Sequence, residues 1–144
     1  MSYVNIWVHA VWATKWRYPF LAGELRTAAL KHIAENATIK GIEICELNCW
    51  VDHFHCLIRL GPDQCIADVL KLIKGEFSHW VNQNKLSAKK FGWAREYYAG
   101  SVSERNLSQV KNYIRNQERH HSKRTYHQEV GACFDDHGSS PLRK

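Results

Sequence analysis

Two histidines that stand two residues apart in an otherwise apolar segment are the first residues that could do chemistry. His53 and His55 lie within residues 50–60, WVDHFHCLIRL. Residues i and i+2 of a β-strand project from the same face, so the two imidazoles would stand side by side. Two adjacent neutral imidazoles can bind one divalent metal ion. Two partly exposed histidines on an open sheet face would give the same pattern, and this alternative stays open.

A second pair of residues lies near the end of the chain. Tyr113 and Gln117 are four residues apart in a segment with helical periodicity, so they share one face of a helix. If this helix covers the open face of the sheet, it places a phenol and a neutral amide oxygen beside the two imidazoles. A packed aromatic and an exposed amide would fit the same spacing. Lys111 and Arg115 on this helix are available to bind phosphates.

The elements that must position these residues follow from hydropathy periodicity. Residues 3–14 alternate with period two and predict a first strand, and residues 21–37 have a helical repeat that ends at Gly41. Residues 42–50 and 53–60 predict a hairpin, and residues 66–81 predict an amphipathic helix with Asp63 as its cap. Residues 93–103 predict a fourth strand broken at Gly100. The last helix is predicted over residues 106–121, with Asn106 in a capping box.

This order predicts an α+β fold. The first six elements match a ferredoxin-like βαββαβ antiparallel sheet with two helices on one face. The additional C-terminal helix, which carries Tyr113, is then available to cover the other face. Residues 1–121 are predicted to form one domain, and residues 122–144 a polar, flexible C-terminal tail.

Composition favours a nucleic-acid partner. The chain has 144 residues and a formal net charge of +6, which suits an anionic partner. We expect a cytoplasmic protein without a membrane partner, because no signal peptide or long apolar run is present. The five cysteines lack the CxxC spacing of structural zinc sites, and buried apolar thiols are favoured over a zinc site. The HxE and PCxxC motifs of zinc deaminases are absent.

Three segments resemble a known family. HFHCLI, residues 53–58, resembles the HUH motif of HUH endonucleases. SVSERNLSQVKNYIRNQERHH, residues 101–121, resembles the tyrosine helix of the IS200/IS605-type transposases, the Y1 single-strand transposases. HAVWATKWRYPFL, residues 9–21, resembles their first strand and the loop after it. The similarity covers about residues 3–121, so the resemblance identifies this region as a Y1 transposase, or HUH catalytic, domain.

The resemblance implies a function and a site. His53 and His55 would bind Mg²⁺ or Mn²⁺ with Gln117 as the third protein ligand, and Tyr113 would be the nucleophile. The enzyme would cleave and rejoin single-stranded DNA at the hairpin-bearing ends of an insertion sequence, through a 5′-phosphotyrosine intermediate. It would act as a homodimer in which the first strands of two subunits can merge their sheets, and in which the tyrosine helix of one subunit can serve the histidines of the other.

Two alternatives keep a similar fold without this activity. A domesticated or inactive relative would bind DNA or RNA hairpins without transposing. An RNA-binding module of the RRM class would need aromatic residues on its central strands, where this chain has histidines.

Basic and aromatic residues are the candidates for binding the single strand, by phosphate contact and base stacking. Surface cations and core tryptophans would give the same composition. The basic candidates are Lys15, Arg17, Lys89, Lys90, Arg95, Lys111 and Arg115, and the aromatic ones are Trp16, Tyr18 and Trp93.

Overall fold

The computed structural model of the protein describes residues 2–116. Their strands and helices follow one another in the order that the periodicity predicts. The strands are β1 (Ile6–Thr14), β2 (Glu43–Cys49), β3 (His53–Leu60) and β4 (Trp93–Val102), and the helices are α1 (Gly23–Ile39), α2 (Ile66–Gln83) and α3 (Leu107–Arg115). Short 3-10 turns at Lys15–Arg17 and Glu104–Asn106 follow β1 and precede α3. The second half of the predicted last helix, with Gln117, and the tail at residues 122–144 lie outside the described residues.

The four strands form one antiparallel sheet in the order β2-β3-β1-β4. Strand β1 therefore has β3 on one side and β4 on the other. The expectation that two subunits merge their sheets through β1 is therefore wrong for Ile6–Thr14, because the backbone groups of this strand already pair within the chain. The strands at the two edges of this sheet are β2 and β4.

One face of the sheet packs against α1 and α2. Phe54, Cys56 and Ile58 point into this core, as the alternation along β3 predicts, and they are fully buried. The Trp12 and Phe54 rings stack with centroids 5.5 Å apart, and Trp93 lies edge-on to both. The side chains of the opposite parity on β3 therefore face away from these two helices.

The other face of the sheet is covered by α3. Its predicted apolar stripe packs against Leu57 of β3 and Val102 of β4 in a second, smaller core. The stripe consists of Leu107, Val110 and Ile114. The helix thus lies on the same side of the sheet as the histidines of β3, as the site requires.

Three local predictions are wrong. Strand β4 runs through Gly100 without a break, because the glycine makes room for the Tyr98 ring. Asp63 does not cap α2, since the N-cap position falls two residues later, at Cys65. Asn106 is the N-cap of α3, but its side chain makes no capping hydrogen bond. Within residues 2–116, no helix combines the length and apolar character needed to cross a membrane.

Candidate metal and tyrosine site

The two histidines of β3 lie side by side on the α3 side of the sheet. Their ring centroids are 5.3 Å apart. His53 is 1% exposed and His55 is 0% exposed. The alternative of two partly exposed histidines on an open face is therefore wrong, because α3 and its neighbours cover them.

His53 is held by the residue that precedes it. Its Nδ1 lies 2.7 Å from Oδ1 of Asp52, which sits in the turn between β2 and β3. A carboxylate only accepts hydrogen bonds, so His53 donates through Nδ1. The Asp52 carbonyl in turn accepts from the backbone and side chain of Thr14, at 2.8 and 3.2 Å. Nε of Arg17 lies 4.0 Å from the other carboxylate oxygen, so the turn is tied to the end of β1.

His55 is bonded to a residue that the sequence analysis did not select as part of the site. Nε2 of His9, on β1, lies 2.9 Å from Nδ1 of His55. The register places His9 opposite Leu57 and Val11 opposite His55, so the two histidines are diagonal neighbours on one face. His9 is completely buried. The sequence held a partial signal, because a period of two along β1 puts His9 on the opposite face from Ala10 and Trp12, which pack in the core.

Tyr113 comes to the histidines from α3 of the same chain. The centroid of its ring lies 5.6 Å from that of His55 and 6.2 Å from that of His9, both in edge-on geometry. The end of α3 is fixed by Asn48 of β2, whose amide donates to the carbonyls of Ile114 and Arg115 at 3.0 and 3.3 Å. Three of the four residues predicted to form the site, His53, His55 and Tyr113, thus lie close together.

The donor set fits a divalent metal only with a third ligand. Within residues 2–116, no group of three or more His, Cys, Asp or Glu residues could hold a metal ion. The two imidazoles could each supply their Nε2 atom as a ligand. The Nδ1 atom of each ring already has a hydrogen-bond partner, an arrangement typical of ligating histidines. A third protein ligand would have to be of another type, such as the amide of Gln117, which lies outside the described residues.

The two buried cysteines of residues 2–116 belong to the core, away from this site. Cys49 and Cys56 are fully buried, and Cys65 is exposed on the surface. Burial raises the pKa of the Cys49 thiol to about 12 and raises that of Cys56 still further. Both side chains are therefore protonated thiols at neutral pH, which agrees with their interpretation as small apolar core residues.

Several of the predicted DNA-binding residues lie close together at the histidine end of the sheet. Nζ of Lys89 stands 4.4 Å above the Tyr18 ring, and the backbone of Lys15 bonds the carbonyl of Gly92 at 2.9 Å. Trp16 is 85% exposed and has φ of 59°. We call Lys15, Trp16, Arg17, Tyr18 and Lys89 the basic-aromatic loops; Lys90 is exposed next to them.

The other candidates lie elsewhere. Arg95 lines a groove of about 360 Å³ between α2 and β4, with Lys71, Lys74 and Tyr97. Arg115 pairs with Glu46 at 2.6 Å, and Lys111 lies on α3 near Cys45. Trp93 lines the same groove, but its ring packs against the core aromatic rings and donates Nε1 to the carbonyl of Lys74. The seven cations therefore do not form one surface.

Sequence comparison places these features in a family. The family model described as "Transposase IS200 like" matches residues 2–117. The ISDra2 transposase TnpA of Deinococcus radiodurans is 30% identical over 114 residues, which cover 76% of this chain and 81% of that protein. A transposase for insertion sequence element IS200 from Salmonella typhimurium is 28% identical over 119 residues, 78% of this chain and 77% of that protein.

Solved structures share the fold. A crystal structure of a protein assigned as a transposase of Deinococcus radiodurans R1 superposes with a TM-score of 0.63 at 27% identity, over 81% of this chain and 95% of that one. A REP-associated tyrosine transposase bound to a REP hairpin superposes with a TM-score of 0.62 at 17% identity, over 100% of this chain and 92% of that one. The second likeness is one of fold alone.

Proposed function

The chain belongs to the IS200-like transposase family, and from this premise we propose that it cleaves and rejoins single-stranded DNA with Tyr113 as the nucleophile. The proposed reaction uses Mg²⁺ or Mn²⁺ held by His53, His55 and Gln117, in a ferredoxin-like domain whose C-terminal helix carries the tyrosine. The substrate class is DNA with hairpins at the ends of an insertion sequence.

The observation that carries the proposal is the contact of Tyr113 with the histidine pair. The phenol comes from α3 and the imidazoles from β3; the Tyr113 ring centroid lies 5.6 Å from that of His55, which in turn lies 5.3 Å from that of His53. A structural aromatic would not need two buried histidines beside it.

The reaction would proceed by in-line displacement at phosphorus. The Tyr113 oxygen forms a bond to the phosphorus as its proton leaves, and the bond between phosphorus and the 3′ oxygen breaks. The 3′ oxygen takes up a proton and becomes a free hydroxyl, while the 5′ phosphate stays on Tyr113. A later 3′ hydroxyl can displace the tyrosine, because the ester bond has been conserved.

His53, His55 and Gln117 would hold a divalent ion near the scissile phosphate. As a Lewis acid, this ion would offset the negative charge that develops on the phosphate oxygens. His53 and His55 would fix the position of the metal ion, because both rings are buried and hydrogen-bonded through Nδ1. The basic-aromatic loops lie next to Asp52 and would hold the strand that enters the site.

The test is covalent trapping on a labelled single-stranded oligonucleotide with a hairpin, in the presence of Mn²⁺ or Mg²⁺. The wild-type protein is expected to form an SDS-stable adduct, and Tyr113→Phe to form none. Tyr3→Phe is the matched control, because this tyrosine is exposed at the start of the chain. Chelation of the metal is expected to abolish the adduct.

An adduct that persists in Tyr113→Phe would show that another group is the nucleophile. Binding of the hairpin by a wild-type protein that forms no adduct would favour the domesticated or inactive relative. His53→Ala and His55→Ala should lose the adduct but retain hairpin binding, because both side chains are buried and neither belongs to the exposed loops.

A further inference from the structure

The hydrogen bond between His9 and His55 gives β1 a part in the site. We infer that His9 is a positioning residue, which accepts the Nδ1 proton of His55 and so fixes the tautomer of His55 that can bind a metal through Nε2. The inference rests on the proposed function, because it takes His55 as a metal ligand. The supporting contact is the 2.9 Å distance between Nε2 of His9 and Nδ1 of His55.

The chemistry of an imidazole pair allows two directions for this bond. In the first, His55 donates from Nδ1 and keeps the Nε2 lone pair that a metal needs. In the second, His9 donates from Nε2, and a neutral His55 carries its own proton on Nε2, where it would block coordination. Metal binding by His55 therefore requires the first direction, with the proton of His9 on its Nδ1.

The neighbouring ligand shows the same arrangement with a different acceptor. Asp52 accepts from Nδ1 of His53 at 2.7 Å, so a neutral His53 has its lone pair on Nε2. Ligating histidines commonly donate their second N–H to a carboxylate or another acceptor, which fixes ring orientation and tautomer. His9 would do for His55 what Asp52 does for His53.

The position of His9 is itself fixed by packing. Its ring lies edge-on to Tyr98 at 5.9 Å and to Tyr113 at 6.2 Å. Gly100 stands opposite His9 in the β1–β4 pairing, and the Tyr98 ring occupies the space that a Cβ at Gly100 would take. A completely buried ring with aromatic neighbours has little freedom to turn its Nε2 away from His55.

The tautomers can be measured directly in the metal-free protein. Long-range ¹H–¹⁵N correlation spectra at pH 8, above the ordinary pKa of histidine, show which ring nitrogen carries the proton. His53 and His55 are expected to be protonated on Nδ1. His32 is the internal reference with the opposite expectation, because its Nε2 faces the Glu76 carboxylate at 2.9 Å. A proton on Nε2 of His55 would overturn the inference.

Metal affinity gives the second measurement, with Mn²⁺ as the probe and the electron paramagnetic resonance of free Mn²⁺ as the readout. His9→Leu removes the acceptor at similar size and is expected to weaken binding about 10- to 100-fold. His9→Gln keeps an acceptor oxygen and is expected to restore most of the affinity. His32→Leu removes a partly buried histidine elsewhere and should bind as the wild type does.

Wild-type affinity in His9→Leu, or equal loss in His9→Gln and His9→Leu, would overturn the role of His9 as acceptor. Equal loss in His32→Leu would do so as well, because the effect would not be specific to the site. Neither measurement uses DNA. A wild-type protein that forms no DNA adduct would therefore contradict the proposed function, while the tautomer of His55 would still decide the role of His9.

Discussion

Gly100 shows how a single missing methyl group shapes the candidate site. A Cβ at this position would collide with the hydroxyl end of the Tyr98 side chain, which lies back over the glycine. Tyr98 in turn packs edge-on against His9. The absence of a side chain on β4 therefore allows an aromatic ring to support a histidine on β1.

Replacement of Gly100 by alanine is expected to destabilise the protein by about 1–3 kcal/mol, because Tyr98 must leave its position in a packed region. Gly75→Ala is the matched control, since a Cβ at Gly75 of α2 meets nothing within 4 Å. Alanine is the better helix former there and should stabilise by up to about 1 kcal/mol. Urea unfolding of the two variants measures both effects, and equal stability would contradict the packing role of Gly100.

Trp16 is a large apolar side chain in solvent. It is 85% exposed, and both Trp16 and Arg17 have positive φ, a conformation that costs a residue with a side chain about 1–3 kcal/mol. A strained backbone that presents a tryptophan to solvent is consistent with a stacking surface for a base.

Trp16→Ala is therefore expected to weaken binding of single-stranded DNA by about 1–3 kcal/mol, which is the usual contribution of one stacked base. Thermal stability should change little, because the ring has few protein contacts. Fluorescence anisotropy with a labelled oligonucleotide measures the affinity. The exposed Ile39→Ala serves as the control, and a similar loss there would contradict a specific role for Trp16.

At the scale of elements, Asn48 fixes the end of α3, the helix that carries Tyr113, to the sheet. The Asn48 amide donates to two carbonyls at the end of α3, and its oxygen accepts from Arg26 and from the backbone of Cys49, each at 2.9 Å. Asn48 also pairs with His55 across the β2–β3 ladder. One side chain thus links α1, β2 and α3 next to a proposed metal ligand.

Asn48→Ala is expected to lower the local opening free energy of α3 by about 1–3 kcal/mol, because carbonyls at the helix end and the Arg26 guanidinium lose a partner. Hydrogen exchange of the amides at residues 110–115 measures this effect. Asn84→Ala is the control, since that exposed side chain bonds only to a carbonyl of its own helix. Unchanged exchange in Asn48→Ala would show that the apolar stripe and the Arg115–Glu46 pair hold α3 without Asn48.

Periodicity predicted the elements well, and the reason is visible in individual residues. Phe54, Cys56 and Ile58 face one core while His53 and His55 face the other side, as a period of two requires. The partner of His55 was not predicted. His9 could be placed on a face from its own strand, but its approach to His55 depends on the register between strands 46 residues apart. Alternation within a strand does not specify that register.

Helix caps were predicted less well for a related reason. Asp63 and Asn106 are good capping residues by type, but α2 begins after Cys65, and the Asn106 side chain makes no capping bond to α3. A cap depends on the backbone path over two or three residues, which packing of the whole helix decides. The partner of the α3 end, Asn48, comes from a distant strand and leaves no local signal.

At the scale of the whole molecule, the candidate basic residues lie in separate places, which include the loops at one end of the sheet and the groove between α2 and β4. The basic-aromatic loops lie at the His53 end of the β1–β3 ladder, where Ala13 pairs with His53. Arg95 and Lys74 lie in the groove between α2 and β4, and burial lowers the pKa of Lys74. The net charge of +6 therefore does not identify one binding face. The loops beside Asp52 are better placed than the groove to contact a DNA strand bound at the site.

This division predicts where a charge change affects DNA binding. Lys89→Gln removes a cation next to Tyr18 in the loops, so it should weaken binding of a single strand and lower the slope of log affinity against log salt by about 0.7. Lys40→Gln removes the same charge at the end of α1, near the opposite end of the sheet, and should leave the slope unchanged. Anisotropy titrations over a range of salt concentrations distinguish the two variants. Equal effects would mean that binding of single-stranded DNA depends on the overall charge of the protein. The loops would then not form a specific DNA path to Tyr113.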